Sequence, residues 1–175
     1  MKRIYISLSR PGSLQKGIDE LRRYQQELRN KTVMFVAELA KAGIETAVLN
    51  CGEYGDRITF SRTVQVTDTG ATGKVIGVGS LKAGFRGEQI VYANTLLLAE
   101  FGSGWESEVL DNVPGVGRGT FPGQIHANDP AGWGYLGEDG RYHHTMGEKP
   151  THPMHSAVLQ MMSDFQDIAR RVFRS

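Results

Sequence analysis

Four histidines lie within thirteen residues near the C-terminal end of the chain, a density that raises the question of a metal site. Imidazole nitrogens are common zinc ligands. Adjacent residues on a strand point to opposite faces of a sheet, so only one member of the His143 and His144 pair could join such a site. The sequence has no His-Glu-x-x-His motif and no second cysteine to complete a ligand set. It therefore favours exposed or capping side chains, and predicts no bound metal, for His126, His143, His144, His152 and His155.

Cys51 is the one cysteine of the chain and, with a histidine, would form the nucleophile and base of a thiol hydrolase. Catalytic cysteines commonly lie at a helix N-terminus, where the helix dipole lowers the pKa of the thiol. The alternating pattern of Thr46–Asn50 instead predicts that Cys51 follows a short strand. A small buried thiol is the preferred interpretation, and a lone cysteine fits a reducing cytoplasm.

Two further groups of residues could in principle form a catalytic or phosphate-binding site. Glu100, Glu106, Glu108 and Asp111 could supply paired carboxylates, but no apolar pocket is predicted around them, and a solvated loop is the better interpretation. The glycine run 115–119 lacks the Lys-Ser/Thr pair of a phosphate-binding P-loop. The sequence therefore predicts a protein that is not an enzyme and has no cofactor.

The composition of the chain is that of one globular domain. It has 175 residues, of which 39% are hydrophobic and 22% charged, and its formal net charge is +1. Without an excess of basic residues, the sequence gives no sign of a surface for nucleic acid or anionic lipid. It also lacks an apolar run near the roughly 20 residues that cross a bilayer. We expect an aqueous location, a single domain over 1–175 and no membrane partner.

Two helices are predicted from apolar residues that recur at alternating steps of four and three. The first begins after Ser13 as N-cap and ends before Gly43 as C-cap, and polar residues in the middle of its stripe suggest that its two ends pack against different elements. The second begins at Pro153 and runs through Val172. The stripe of the first helix consists of Leu14, Ile18, Leu21, Gln25, Leu28, Thr32, Phe35, Leu39 and Ala42.

Strands are predicted where the period changes to two. The stretch 89–101 reads as either a buried strand or a short helix, and a central strand that ends at Glu100 is preferred. The sum is an α+β domain in which both helices pack on a mostly antiparallel sheet. The predicted strands are an opening edge strand at Lys2–Ser9, Thr46–Asn50, a hairpin of Ile58–Thr67 with Lys74–Gly79, and a second hairpin of Trp133–Leu136 with Arg141–Met146.

The segment Gly102–Gly132 has no sustained period and contains seven of the 22 glycines. A loop of this length inside a small domain is functional or disordered, and its large apolar residues argue against permanent disorder. We expect an extended interface loop that becomes ordered on a partner. The predicted interface residues in and around it are Phe101, Trp105, Val109, Leu110, Val113, Arg118, Phe121 and Trp133.

The order and spacing of several short motifs resemble a known family over essentially the whole chain. The motifs include Leu98-Ala99-Glu100-Phe101-Gly102-Ser103-Gly104, Arg118-Gly119-Thr120-Phe121-Pro122-Gly123, Trp133-Gly134-Tyr135 and Pro153-Met154-His155-Ser156-Ala157. Together with the opening strand and long first helix, they resemble the tail-component or neck (tail-completion) family of long-tailed bacteriophages and prophages. The family usually has threonine where this chain has Ser103.

This resemblance implies a non-enzymatic virion protein, made in the host cytoplasm, that forms a homo-oligomeric ring of six subunits at the head–tail junction. Its implied partners are the head connector proteins, the tail terminator and the tail tube, and genome DNA would pass through the lumen without sequence-specific binding. Two alternatives remain open at this point. One is a zinc- or thiol-dependent cell-wall hydrolase, and the other is a tail-assembly adaptor that does not enter the particle.

Overall fold

The computed structural model describes residues 11–86, 89–108, 120, 124, 126–136 and 139–174. The α+β class predicted from the sequence is confirmed, with helices at both ends of these ranges and antiparallel strands between them. Short 3₁₀ turns occupy Gly52–Tyr54 and Gly104–Glu106. The elements are α1 Ser13–Leu49, β1 Ile58–Val66, β2 Ala71–Gly79, β3 Leu81–Arg86, β4 Gln89–Asn94, α2 Thr95–Phe101, β5 Trp133–Leu136, β6 Tyr142–Thr145 and α3 Pro153–Arg174.

The two long helices, α1 and α3, pack against each other in antiparallel directions. Phe35 of α1 contacts two rings near the end of α3, with centroid distances of 5.1 Å to Phe165 and 5.8 Å to Phe173. Closer to the end of α1, Gly43 is buried, and a Cβ there would lie 2.9 Å from the sulfur of Met161. Small residues on this face let the helix backbones approach closely.

The end of α1 corrects two sequence predictions. Thr46–Asn50 was expected to be a strand after a helix that ended at Gly43, but the helix continues to Leu49. The buried small residues Ala40, Gly43 and Ala47 keep the helical spacing against α3, so Gly43 is a packing residue and not a cap. The helix stops at Asn50, whose side chain donates to the Thr46 carbonyl at 2.8 Å. At the other end, Gly12 takes the N-cap position predicted for Ser13.

The strands of the described residues pair as three antiparallel hairpins. The predicted hairpin of β1 and β2 is confirmed, with a register from Ile58 opposite Gly79 to Val66 opposite Ala71. One face of this hairpin packs on the second half of α1, where a Cβ at Gly73 would overlap Val36 and the Arg62 guanidinium donates to the Ala37 carbonyl. Arg62, which interrupts the apolar pattern of β1, therefore joins the strand to the helix.

The preferred prediction of one strand from Gln89 to Glu100 is wrong. The chain forms β4, paired with the unpredicted strand β3, and then turns into the short helix α2. Asn94 begins that helix, because its side-chain oxygen accepts hydrogen bonds from the N–H groups of Leu96 at 2.9 Å and Leu97 at 3.4 Å. The next residue, Thr95, is fully buried and donates its hydroxyl to the Ser80 carbonyl at 3.0 Å.

A small core lies where the end of α1, the start of β1, and the β4–α2 junction meet. It consists of Cys51, Tyr54, Ile58, Ala93, Leu98 and Ala99, with Phe60 and Leu96 packed against it. No helix within the described residues is long and apolar enough to cross a membrane. The hairpin of β5 and β6 and the final helix α3 confirm their predictions, whereas the predicted opening strand Lys2–Ser9 lies outside the described residues.

Candidate interface site

Three of the eight predicted interface residues lie in the described part of the chain, close to the end of α2. Phe101 is the last residue of that helix and is 40% exposed, and Trp105 lies in the following 3₁₀ turn and is 49% exposed. Trp133 begins β5 and is half-buried beside Gly104, since a Cβ at Gly104 would overlap its ring. The other five, Val109, Leu110, Val113, Arg118 and Phe121, lie outside the described residues.

Glycines with positive φ bring the end of α2 against the segment before α3. Gly102 and Gly104 have φ angles of +68° and +63°, and Gly147 has a φ of +111°. A Cβ at Gly147 would overlap the carbonyl of Ser103, and a Cβ at Gly104 would lie 2.6 Å from the Met146 carbonyl oxygen. Only glycine fits at such positions, because the backbones are in direct contact and the conformation disfavours a side chain.

Backbone hydrogen bonds fix this contact in a single register. The N–H of Ser103 donates to the Glu148 carbonyl at 2.8 Å, and the N–H of Trp105 donates to the Met146 carbonyl at 2.8 Å. In return the Glu148 N–H donates to the Ser103 hydroxyl at 3.1 Å. A threonine hydroxyl could accept the same bond, so Ser103 retains the role that a threonine would have here. The exposed side chain of Trp105 is consequently held on a rigid turn.

Glu100 caps the N-terminus of the final helix, although it lies more than fifty residues earlier in the sequence. Its carboxylate accepts the N–H of Met154 at 2.7 Å and the N–H of His155 at 2.9 Å, both in the first turn of α3. A negative charge at a helix N-terminus is stabilising because it satisfies free N–H groups and opposes the helix dipole. The interpretation of Glu100 as part of a solvated acidic loop is therefore wrong.

A buried polar network joins Ser107 to Thr120. The hydroxyl oxygens of Ser107 and Thr120 lie 3.2 Å apart, and the Thr120 hydroxyl donates to the Gly102 carbonyl. Gln124 accepts the Thr120 N–H at 2.7 Å, and Asn128 donates to the Ser107 carbonyl at 3.2 Å. These hydrogen bonds fix Ser107, Thr120, Gln124 and Asn128 relative to one another. Through the Gly102 carbonyl, the network adjoins the backbone contact at the end of α2.

The histidines take part in local packing and hydrogen bonding. The His126 ring stacks on Trp133 with centroids 5.1 Å apart, and His144 lies 2.8 Å from the Ala131 carbonyl. His143 lies 2.9 Å from Asp139 and is the main reason that the pKa of this aspartate is lowered. Within the described ranges, no three histidine, cysteine or acidic side chains form a group that could hold a metal ion.

Cys51 follows α1, not the strand predicted before it, and the residue is only 2% exposed. Its sulfur lies 3.3 Å from the Ala47 carbonyl, and burial raises the pKa of the thiol. A cleft of about 260 Å³ adjoins it, where the Tyr54 hydroxyl donates to Glu148 and the Lys82 ammonium lies 3.1 Å from the same carboxylate. Burial stabilises the neutral thiol, whereas a nucleophile needs the thiolate.

We expect Cys51 to react with a disulfide reagent at least about 100-fold more slowly in the native protein than in denaturant, because burial both blocks access and disfavours the thiolate. The rate would be measured from thiol release at pH 8, with the chain in guanidinium as the control. A native rate close to that of the unfolded chain would contradict the buried, neutral thiol and would reopen the thiol-hydrolase alternative.

The described surface carries more large apolar side chains than the core. Eleven hydrophobic residues are buried, whereas 22 large ones are about a third or more exposed. Phe101 and Trp105 belong to the exposed set, which also includes residues on α1, on every described hairpin and on α3. Comparison of the chain with family models, curated proteins and solved structures found no match.

Proposed function

We propose that the chain is a structural subunit of the head–tail junction of a long-tailed phage, a neck or tail-completion protein that assembles into a ring with copies of itself. The observation that carries the proposal is the excess of exposed over buried large apolar residues. An exposed apolar surface of this extent is typical of subunits that bury it against neighbours. The rigid turn of Trp105, beside Phe101, is the central contact that we assign to this surface.

The residues behind the family resemblance support the proposal because they have structural roles. In the segment from Leu98 to Gly104, Glu100 holds the start of α3, Gly102 and Gly104 permit the backbone contact, and Ser103 closes it with a hydrogen bond. These roles account for the order and spacing of the motif without any reaction chemistry. They favour a protein whose function is to present a fixed surface over the hydrolase alternative.

In this proposal the partners are further copies of the chain in a ring of six, the head connector proteins, the tail terminator and the tail tube. The chain is made in the host cytoplasm and functions in the virion, where genome DNA passes through the lumen of the ring. A net charge of +1 suits such a passage. A strongly basic lumen would retain the DNA, because bound phosphates release counterions.

The test is the composition and yield of tailed particles from the bacterium that carries this gene. We expect mass spectrometry to find the chain in purified particles. We also expect Trp105→Ala to lower particle yield, because truncation of a central interface aromatic costs about 2 kcal/mol or more of binding free energy. Tyr142→Ala is the matched control, since Tyr142 is a more exposed aromatic on another hairpin.

Two outcomes would contradict the proposal. Particles of normal yield that lack the chain would favour the tail-assembly adaptor, which acts without entering the particle. Equal losses for Trp105→Ala and Tyr142→Ala would show that no specific contact is made by Trp105. Tyr142→Ala should keep the thermal unfolding midpoint of the parent chain, because its side chain is 84% exposed. Trp105→Ala removes a half-buried ring and should lower the midpoint, so yields are compared at a temperature at which both variants are folded.

A further inference from the structure

A strap, which we define as residues 146–151, lies against the small core. The cleft of about 260 Å³ beside Cys51 runs between them, with Tyr54 and Ala99 on the core side and Glu148 on the strap side. The three core residues are only 2–5% exposed, whereas every residue of the strap is half-buried or exposed. The strap therefore covers buried residues without being buried itself.

Hydrogen bonds hold the strap at both ends. Its first end makes the backbone contact with Ser103 and Trp105 described above. At its other end, the Thr151 N–H donates to the Ala99 carbonyl at 2.7 Å. Segments that depend on hydrogen bonds and bury little apolar surface open locally at a lower free energy than the core around them. The strap is thus a segment that can open while the core stays folded.

Glu148 is the centre of these contacts. Its backbone accepts a hydrogen bond from the Ser103 N–H and donates one to the Ser103 hydroxyl. Its carboxylate accepts the Tyr54 hydroxyl and lies 3.1 Å from the Lys82 ammonium, which also donates to the Tyr54 hydroxyl at 3.3 Å. One residue thus joins the strap to β3, to the 3₁₀ turn after α1 and to the turn that carries Trp105.

The ring of Glu148, Tyr54 and Lys82 is closed and electrostatically matched. Burial and the neighbouring Glu148 raise the pKa of Tyr54, which keeps its hydroxyl protonated as a donor. The Lys82 ammonium opposes the charge of the carboxylate. The two charged side chains are 41% and 34% exposed, so water competes for them and the ring contributes a modest free energy. A contact of this strength can hold a segment closed and still let it open.

We propose that Glu148 is a positioning residue for Trp105, and that opening of the strap exposes Cys51 and releases the Trp105 turn in one event. The strap is one wall of the cleft beside Cys51 and also the acceptor of the Ser103 and Trp105 N–H groups, so one movement affects both. Lys82 and Tyr54 bias this movement, which makes the strap the two-state element that coupling requires. Trp105 is then presented only when β3 and the 3₁₀ turn are in place.

The reactivity of Cys51 measures the opening of the strap. Glu148→Ala removes the carboxylate and retains the backbone groups. In the full chain, we expect the thiol to react with a small disulfide reagent about fivefold faster or more, as when hydrogen bonds to a half-exposed charged group are lost. Lys149→Ala is the matched control, because Lys149 lines the same cleft but is exposed and outside the ring. It should leave the rate unchanged.

Hydrogen exchange of single amides, followed by NMR, measures the release of the turn. The N–H groups of Ser103 and Trp105 donate to strap carbonyls, whereas the Thr95 N–H donates to the Ser80 carbonyl at 2.9 Å. In Glu148→Ala we expect exchange at Ser103 and Trp105 to accelerate by the same factor as the thiol reaction. Exchange at the buried Thr95 should keep the rate of the parent chain.

Three results would overturn the proposal. A faster thiol reaction without faster exchange at Ser103 and Trp105 would mean that the strap does not control the turn. Equal acceleration at Thr95 would mean that the whole domain unfolds more often. Rates like those of Lys149→Ala would mean that Glu148 does not hold the strap closed.

Lys82→Met is a second, milder variant that keeps the test decisive if Glu148→Ala does not fold. It removes the ammonium and retains an unbranched apolar side chain. We expect the same pattern of thiol reaction and amide exchange, with a smaller factor. Parent rates in Lys82→Met would overturn the assignment of the ring as the contact that closes the strap.

The part that Glu148 plays in assembly rests on the proposed function, whereas the opening of the strap is measured on the isolated chain. If the exchange pattern is found but the chain is absent from tailed particles, the coupling stands and the virion role is wrong. If the chain is found in particles but the exchange pattern is absent, the virion role stands and the coupling is wrong.

Discussion

Gly147→Ala is expected to lower the free energy of unfolding by about 4 kcal/mol, one of the largest effects of a single methyl group in this chain. The φ of Gly147 is +111°, which alanine rarely adopts, and the new Cβ would overlap the Ser103 carbonyl. The neighbouring hydrogen bonds between Ser103 and Glu148 would have to lengthen or break. Urea denaturation followed by fluorescence would measure the loss.

Gly140→Ala is the matched control for Gly147→Ala. Gly140 also has a positive φ, of +74°, but a Cβ there meets nothing within 4 Å. Its replacement should cost about 1 kcal/mol, the conformational penalty alone. The difference between the two variants isolates the backbone contact at the end of α2. Equal losses for both would contradict the assignment of Gly147 as the residue that permits this contact.

Glu100→Ala is expected to cost about 2 kcal/mol, because it leaves two N–H groups at the start of α3 without their carboxylate. His152, which precedes Pro153, has a φ of +54°, and its ring nitrogen lies 3.4 Å from a Glu108 carboxylate oxygen. Thermal and urea unfolding would measure the effect, and the helical circular dichroism signal would report on α3.

Glu27→Ala provides the comparison for Glu100→Ala. Glu27 is an exposed carboxylate that pairs with Lys31 one helical turn away, at 3.6 Å. Surface pairs of this type contribute about 0.3–0.5 kcal/mol, so the two variants should differ by more than 1 kcal/mol. If Glu27→Ala cost as much as Glu100→Ala, the loss at Glu100 would reflect general removal of a carboxylate, and the helix-capping role would be wrong.

Elements with a clear period were predicted correctly. The β1–β2 hairpin shows regular alternation between Ile58 and Val66, and α3 keeps its four-and-three spacing from Pro153 onward. Both patterns are local, since they depend only on which side of a strand or helix faces the domain. The α+β class followed from the sum of these elements.

The errors arose where contacts distant in sequence decide the structure. Gly43 reads as a helix end, but the helix continues because α3 packs against it there. The apolar run after Tyr92 reads as a strand, although the pair Asn94 and Thr95 was an available signal for a helix start. The sequence around Glu100 is typical of an exposed acidic loop, and no local pattern indicates that its carboxylate caps α3.

The sequence by itself determined the class of fold, the periodic elements and the near-neutral charge, because each depends on residue type and short-range spacing. Only the tertiary structure decided which glycines permit backbone contact and that Glu100 begins α3. These features depend on contacts between residues that are tens of positions apart in the sequence. The hydrophobicity of a residue follows from its type, but its burial depends on the folded chain and cannot be deduced from its neighbours in sequence.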